Sequence, residues 1–135
     1  GEFHPILNLM QSYFDGVDAI NYSESVIYEL EAERSRPQYF HVFGIDDHYA
    51  PDTTQQALAI GVGAHLVLPA IDAFGGVGTV ESPVKANYGG ATAVVKQYAA
   101  DGYDGHFVVF RNPEAQSDLS GFLRSFAVDG LAELP

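Results

Sequence analysis

The chain has 135 residues, 47% of them hydrophobic, enough to build one compact domain around a core of its own. It contains no cysteine, so neither a disulfide nor a thiolate metal site is available. Six Lys and Arg stand against 18 Asp and Glu, a net charge of −12. The cations are scattered, which argues against a nucleic-acid partner, because a phosphate-binding surface needs them clustered.

The stretch HPILNLMQSYFDG places Ile6, Leu9, Met10, Tyr13, Phe14 and then Val17 at helical spacing, with Pro5 in the first turn and Gly16 as the stop. No basic segment leads into an apolar one here, so no signal peptide is expected in these residues. The compartment is not legible, although the acidity fits solubility and a saline or extracellular setting. SESVIYELEAERSR predicts a second helix over 23–36, with Val26, Ile27 and Leu30 on one face. Pro37 ends that pattern. QYFHVFG then reads as a buried strand closed by Gly44, in which His41 is expected to satisfy its nitrogens locally.

After the polar loop IDDHYAPD, a helix is expected from Asp52 or Thr53 to Gly61, each candidate cap having a glutamine three residues on. AHLVLPA reads as a short strand. The run ALAIGVGAHLVLPAI comes nearest to a membrane span, but it is short of the roughly eighteen residues needed and is broken by glycines, a histidine and a proline. No transmembrane segment is therefore expected. Residues 72–91 are glycine-rich and aperiodic, an irregular insertion.

ATAVVKQYA is the next strand, and DGYDGHF is turn chemistry. His106 stands straight after that turn, ahead of the apolar run FVVF, at what reads as the mouth of a strand. The chain closes with a helix over 113–127. Asn112 is its cap, Pro113 its first residue and Glu114 favours the positive end of its dipole. Ala115, Leu119, Phe122, Leu123 and Phe126 form its expected buried stripe, with Gly130 just beyond the end.

Strands alternating with helices predict a single α/β domain over 1–135, with a mostly parallel sheet and flanking helices. In such sheets, sites gather at the carboxyl ends of strands. Asp46, Asp47 and His48 follow one strand directly, and His106 follows another. A carboxylate beside an imidazole is the orienting half of a nucleophilic triad, in which the acid fixes the tautomer and the imidazole takes a hydroxyl proton. Asp47 and His106 are the candidate catalytic residues, and Asp46 a solvated neighbour. Tyr49 and Tyr103, one beside each, are candidates to line a substrate pocket. Asp46, Asp47, His48, Asp52 and His106 also include side chains suited to a metal ion, although the i, i+4 histidine pair of a zinc helix is missing.

GIDDHYAP resembles the G-x-x-D-x-x-x-P pattern around the catalytic acid of α/β-hydrolases, with Gly44, Asp47 and Pro51 at the three defining positions. YDGHF resembles the histidine loop of the same superfamily, and DGYDGHF…FRNP is similar to bacterial esterase- and lipase-like members. The resemblance covers residues 37–135 best and implies a serine carboxylic-ester hydrolase without a cofactor, with Asp47 as orienting acid and His106 as base. Acid before histidine is the order of that superfamily. The nucleophile elbow G-x-S-x-G is absent, since the serines at 12, 23, 25, 35, 82, 117, 120 and 125 all lack the flanking glycines.

The resemblance therefore implies the C-terminal half of such an enzyme, inactive alone, with an ester as substrate of the complete protein. The strand at 39–44 would then have an open flank. The expected partners are the nucleophile-bearing half, or a second copy by dimerisation or element exchange. A non-catalytic assembly piece and a metal-binding module are the competing readings.

Overall fold

The computed structural model describes residues 4–27 and 36–135. Helix α1 spans Pro5–Phe14, with Pro5 in its first turn and the His4 imidazole accepting from the Ile6 N–H. The expected stop at Gly16 falls inside a 3₁₀ turn, Asp15–Val17. A second 3₁₀ turn, Ala19–Tyr22, leads into α2, Glu24–Ile27. Residues 28–35 of the second expected helix, Leu30 among them, lie outside the described residues.

The elements that follow are β1 (Tyr39–Gly44), α3 (Asp52–Val62), β2 (His65–Leu68), β3 (Thr79–Glu81), β4 (Val84–Lys85), β5 (Ala93–Tyr98), α4 (Val108–Arg111), α5 (Pro113–Asp129) and β6 (Glu133–Leu134). Strands β1, β5, β2 and β3 form one sheet in that order, every pair parallel. Strands β4 and β6 pair antiparallel beside it. The chain is thus an α/β protein with a mostly parallel sheet and flanking helices.

Period-two alternation explains how one sheet supports two cores. Along β5, Ala93 and Val95 meet Ile27, Phe43, Ala59, Val62 and Leu66 on the α3 face. Val94 points the other way, to Phe122 of α5 and Leu134, and Tyr98 joins Val108 and Ala115 on that same side. Each fully buried side chain of this size contributes about 1.5–3 kcal/mol of transfer free energy. A central strand sandwiched in this way has to be apolar on both faces, as AVV is.

Several expected boundaries shift for identifiable reasons. Helix α3 begins at Asp52 behind Pro51, and no side chain caps it: neither Asp52 nor Thr53 does so. Gly61 lies inside the helix, where a Cβ would run into the Ser23 hydroxyl; Gly63, at φ 77°, is the residue that ends it. In the glycine-rich stretch 72–91, β3 extends the main sheet and β4 pairs with β6, so the insertion is not wholly irregular. Residues 105–111 form a 3₁₀ turn and α4 rather than a strand.

At α5, Asn112 Oδ1 accepts from the Glu114 and Ala115 N–H groups, and Gly130 closes the helix at φ 70°. Its buried face is Ala115, Asp118 and Phe122, whereas Leu123 and Phe126 are exposed. Asp118 belongs on the inner face because Lys96 Nζ (2.6 Å) and the Tyr98 hydroxyl (2.7 Å) both reach its Oδ2 from β5.

Strand β1 ends the sheet and, among the described residues, pairs only with β5. The Tyr39 and Ile45 N–H groups donate to Thr92 and Tyr98 carbonyls, so odd-numbered peptide groups face β5 and those of Phe40 and Val42 face the open flank. On that flank the Gly44 carbonyl accepts from Gln55 Nε2 at 3.2 Å. No described helix is long and apolar enough to cross a membrane.

Candidate active site

The carboxyl ends of β1 and β5 are neighbours, with Gly44 in register with Tyr98. Each feeds a loop, and the two loops meet backbone to backbone. A Cβ on Gly44 would strike the Gly105 carbonyl, and a Cβ on Gly105 would strike the Ile45 carbonyl. Both positions need glycine for clearance. Between them the Gly105 N–H donates to the Asp46 carbonyl at 3.4 Å. Asp46 supplies that carbonyl from a left-handed conformation, φ 59°, which aspartate tolerates better than most residues. Its side chain is exposed, as expected of a solvated neighbour.

Asp47 is 8% exposed and fully engaged. Its Oδ1 accepts from the Tyr49 and Ala50 N–H groups, both at 2.8 Å, which folds the loop over it. Its Oδ2 lies 3.3 Å from His106 Nδ1. One carboxylate therefore serves as turn acceptor and imidazole partner together. His106 sits in the 3₁₀ turn Gly105–Phe107, where Asp104 Oδ1 accepts its backbone N–H at 2.9 Å. Because a carboxylate can only accept, the His106 Nδ1 must carry the proton, which leaves Nε2 with a free lone pair. Nε2 bonds none of the described residues, and the side chain is 45% exposed.

The two tyrosines part company. Tyr49 is 70% exposed and lays its ring 4.8 Å from that of His106, with Phe107 edge-on to both. Tyr103 instead packs against the Tyr98, Val108 and Ala115 cluster, with the Arg111 guanidinium 5.5 Å over its ring. The structure brings Tyr49 to the acid–imidazole pair and turns Tyr103 toward the base of α4.

A second pair went unread in the sequence. His48 Nδ1 lies 2.8 Å from Asp104 Oδ2, and the His48 backbone N–H reaches Asp104 Oδ1 at 3.4 Å. The His106 N–H above all holds the Asp104 carboxyl below its ordinary range; burial opposes it, and the bonds to His48 add to the lowering. The available signal was the D-x-H spacing in YDGHF, which suits a side chain bonding the N–H two residues on.

His41 meets expectation only in part. It lies within β1, stacked on Phe43, and its Nδ1 is buried with no partner among the described residues. Burial pushes the imidazole below its ordinary value, with a hydrogen bond to Gln55 acting the other way, so the ring favours its neutral form. Among the described residues no three histidine, aspartate or glutamate side chains converge as a metal-binding group, so Asp46, Asp47, His48, Asp52 and His106 do not form one cluster. A cavity of about 400 Å³ opens beyond β2 and β5, lined by Leu68, Pro69, Lys96, Gln97, Tyr98 and Glu114 among others. It does not include the acid–imidazole pair.

No family model, curated protein or solved structure matches the chain.

Proposed function

We propose that this chain carries the acid and base of a serine ester hydrolase whose nucleophile comes from residues outside these 135. The observation that carries the reading is the Asp47 Oδ2 to His106 Nδ1 contact at 3.3 Å, made across the carboxyl ends of adjacent parallel strands. The resemblance of GIDDHYAP and YDGHF to α/β-hydrolase loops supports it, as does the glycine contact that lets the loops touch.

In this mechanism Asp47 holds the Nδ1–H, and Nε2 takes the proton of an incoming serine hydroxyl as it attacks the ester carbonyl. The same proton then passes to the departing alkoxide. Asp47 stabilises the imidazolium formed between these steps, and its own two backbone N–H bonds keep it fixed. The Tyr49 ring and Phe107 flank the imidazole and present an apolar surface to the substrate.

The chain alone is expected to show no turnover of a short-chain p-nitrophenyl ester. Joined to the nucleophile-bearing segment it should hydrolyse that ester, and His106→Ala should then lower kcat/KM by roughly 10²–10⁴-fold. Full activity in that variant contradicts the proposal.

The open flank of β1 supports a second reading, in which the chain is an assembly piece. The Phe40 and Val42 peptide groups, which have no strand partner among the described residues, offer a template for another strand, from the nucleophile-bearing half or from a second copy. Sedimentation of the chain as a stable monomer, unchanged by the other half, counts against both partners.

A further inference from the structure

We propose that Asp104 and His48 are positioning residues for His106, forming a second acid–imidazole pair that crosses the first and fixes the angle between the two loops. The proposal rests on the reading of Asp47 and His106 as the working pair. In the first pair the β1 loop supplies the acid and the β5 loop the imidazole. In the second the roles are exchanged, with the acid from the β5 loop and the imidazole from the β1 loop. The two carboxylates also divide their oxygens alike. Asp47 gives Oδ1 to backbone N–H groups and Oδ2 to His106. Asp104 gives Oδ1 to the His106 and His48 N–H groups and Oδ2 to the His48 ring.

A single side-chain contact between two loops acts as a pivot, about which the imidazole can still swing. Two contacts of opposite polarity, with the Gly44–Gly105 backbone approach between them, remove that freedom. Asp104 is the element that reaches His106 most directly, because the same carboxylate that binds His48 also holds the His106 backbone N–H. His48 itself is 82% exposed at the side chain, so the pair adds little to global stability. Its effect lies in geometry. A half-exposed imidazole such as His106 stays in one rotamer and one tautomer only while its backbone and its Nδ1 are both held.

Nitrogen-15 spectra of the histidine rings, recorded on the 135-residue chain where the imidazoles are neutral, test this. In the wild type both His106 and His48 should appear as the Nδ1–H tautomer. Asp104→Ala should return His48 to the Nε2–H form and cost His106 its single-tautomer signal; His48→Ala should cause the same loss at His106 in a fold that keeps Asp104. Asp104→Asn should rescue His106, because an amide whose oxygen stays on the two N–H groups turns its NH₂ to His48 and reverses only the His48 tautomer. A His106 signal unchanged in both alanine variants overturns the proposal.

Asp47→Asn separates this from failure of the underlying reading. Its amide oxygen is held by the Tyr49 and Ala50 N–H groups, so its NH₂ should face His106 and drive that ring to Nε2–H. If Asp47→Asn leaves His106 unaltered, the Asp47–His106 pair is what fails.

Discussion

Gly44→Ala is the substitution that most sharply probes how the two loops are joined. A Cβ there would sit 2.6 Å from the Gly105 carbonyl carbon and 3.0 Å from its Cα. Carbon atoms in contact want about 3.5–4.0 Å, so the loops would have to part by roughly 1 Å. The obstacle is backbone, and no rotamer change relieves it. The Asp47–His106 contact, already 3.3 Å, is then lost, because hydrogen bonds weaken steeply beyond that distance. Overpacking of this kind costs about 1–3 kcal/mol and the lost bond about 1 more, giving about 2–4 kcal/mol in total. Urea denaturation with Gly16→Ala as control measures it. Nothing lies within 4 Å of a Cβ at Gly16, so the control should stay within about 0.5 kcal/mol of wild type. Equal midpoints for Gly44→Ala and the control would refute the interlocked-glycine argument.

Lys96→Met should destabilise the fold by about 2–3 kcal/mol in the same assay, since it strips Asp118 of its cation while Tyr98 still donates to it. Alkali should destabilise the chain through two phenols, the half-buried Tyr39 and the buried Tyr98. Burial pushes Tyr39 up to about 12, and burial together with Asp118 pushes Tyr98 higher still. The unfolded chain therefore loses these protons first, so their stabilisation is complete below about pH 10 and declines as pH rises above it. Tyr39→Phe should flatten that decline in a pH series of denaturant midpoints. Asp104 acts at the other end. Its lowered carboxyl stabilises the fold above the ordinary carboxylate range, and that support is lost as pH falls below about 4. Asp104→Ala should show a shallower acid limb than wild type.

What could be read from sequence was whatever local chemistry decides. Asn112, Pro113 and Gly130 delimit α5 as expected, because caps and stops are set by adjacent residues. The α/β class followed from the order of periodic segments. Tertiary packing decided the rest. Gly61 resembled a stop but answers to Ser23, which comes from a distant turn, and the true stop at Gly63 lies two residues on. Leu123 and Phe126 extended a plausible stripe, yet Lys96 and Tyr98 draw the buried face toward Asp118. Strand β3 is three residues long in a glycine-rich stretch, too short for any period to show.

At the site, the loop motifs brought Asp47 and His106 forward together, and the structure sets them in contact. The His48–Asp104 pair stayed hidden because it depends on how closely the two loop backbones approach, which only the reciprocal Gly44 and Gly105 clearance determines.

The proton on His106 tests the account most directly. At a pH where the ring is neutral, its nitrogen-15 shifts in the unmodified chain should show Nδ1 protonated and Nε2 bare, as a carboxylate partner at Nδ1 demands. A ring protonated at Nε2, or one averaging freely between the two forms, would mean that Asp47 does not hold it, and the acid–base reading of these loops would be wrong.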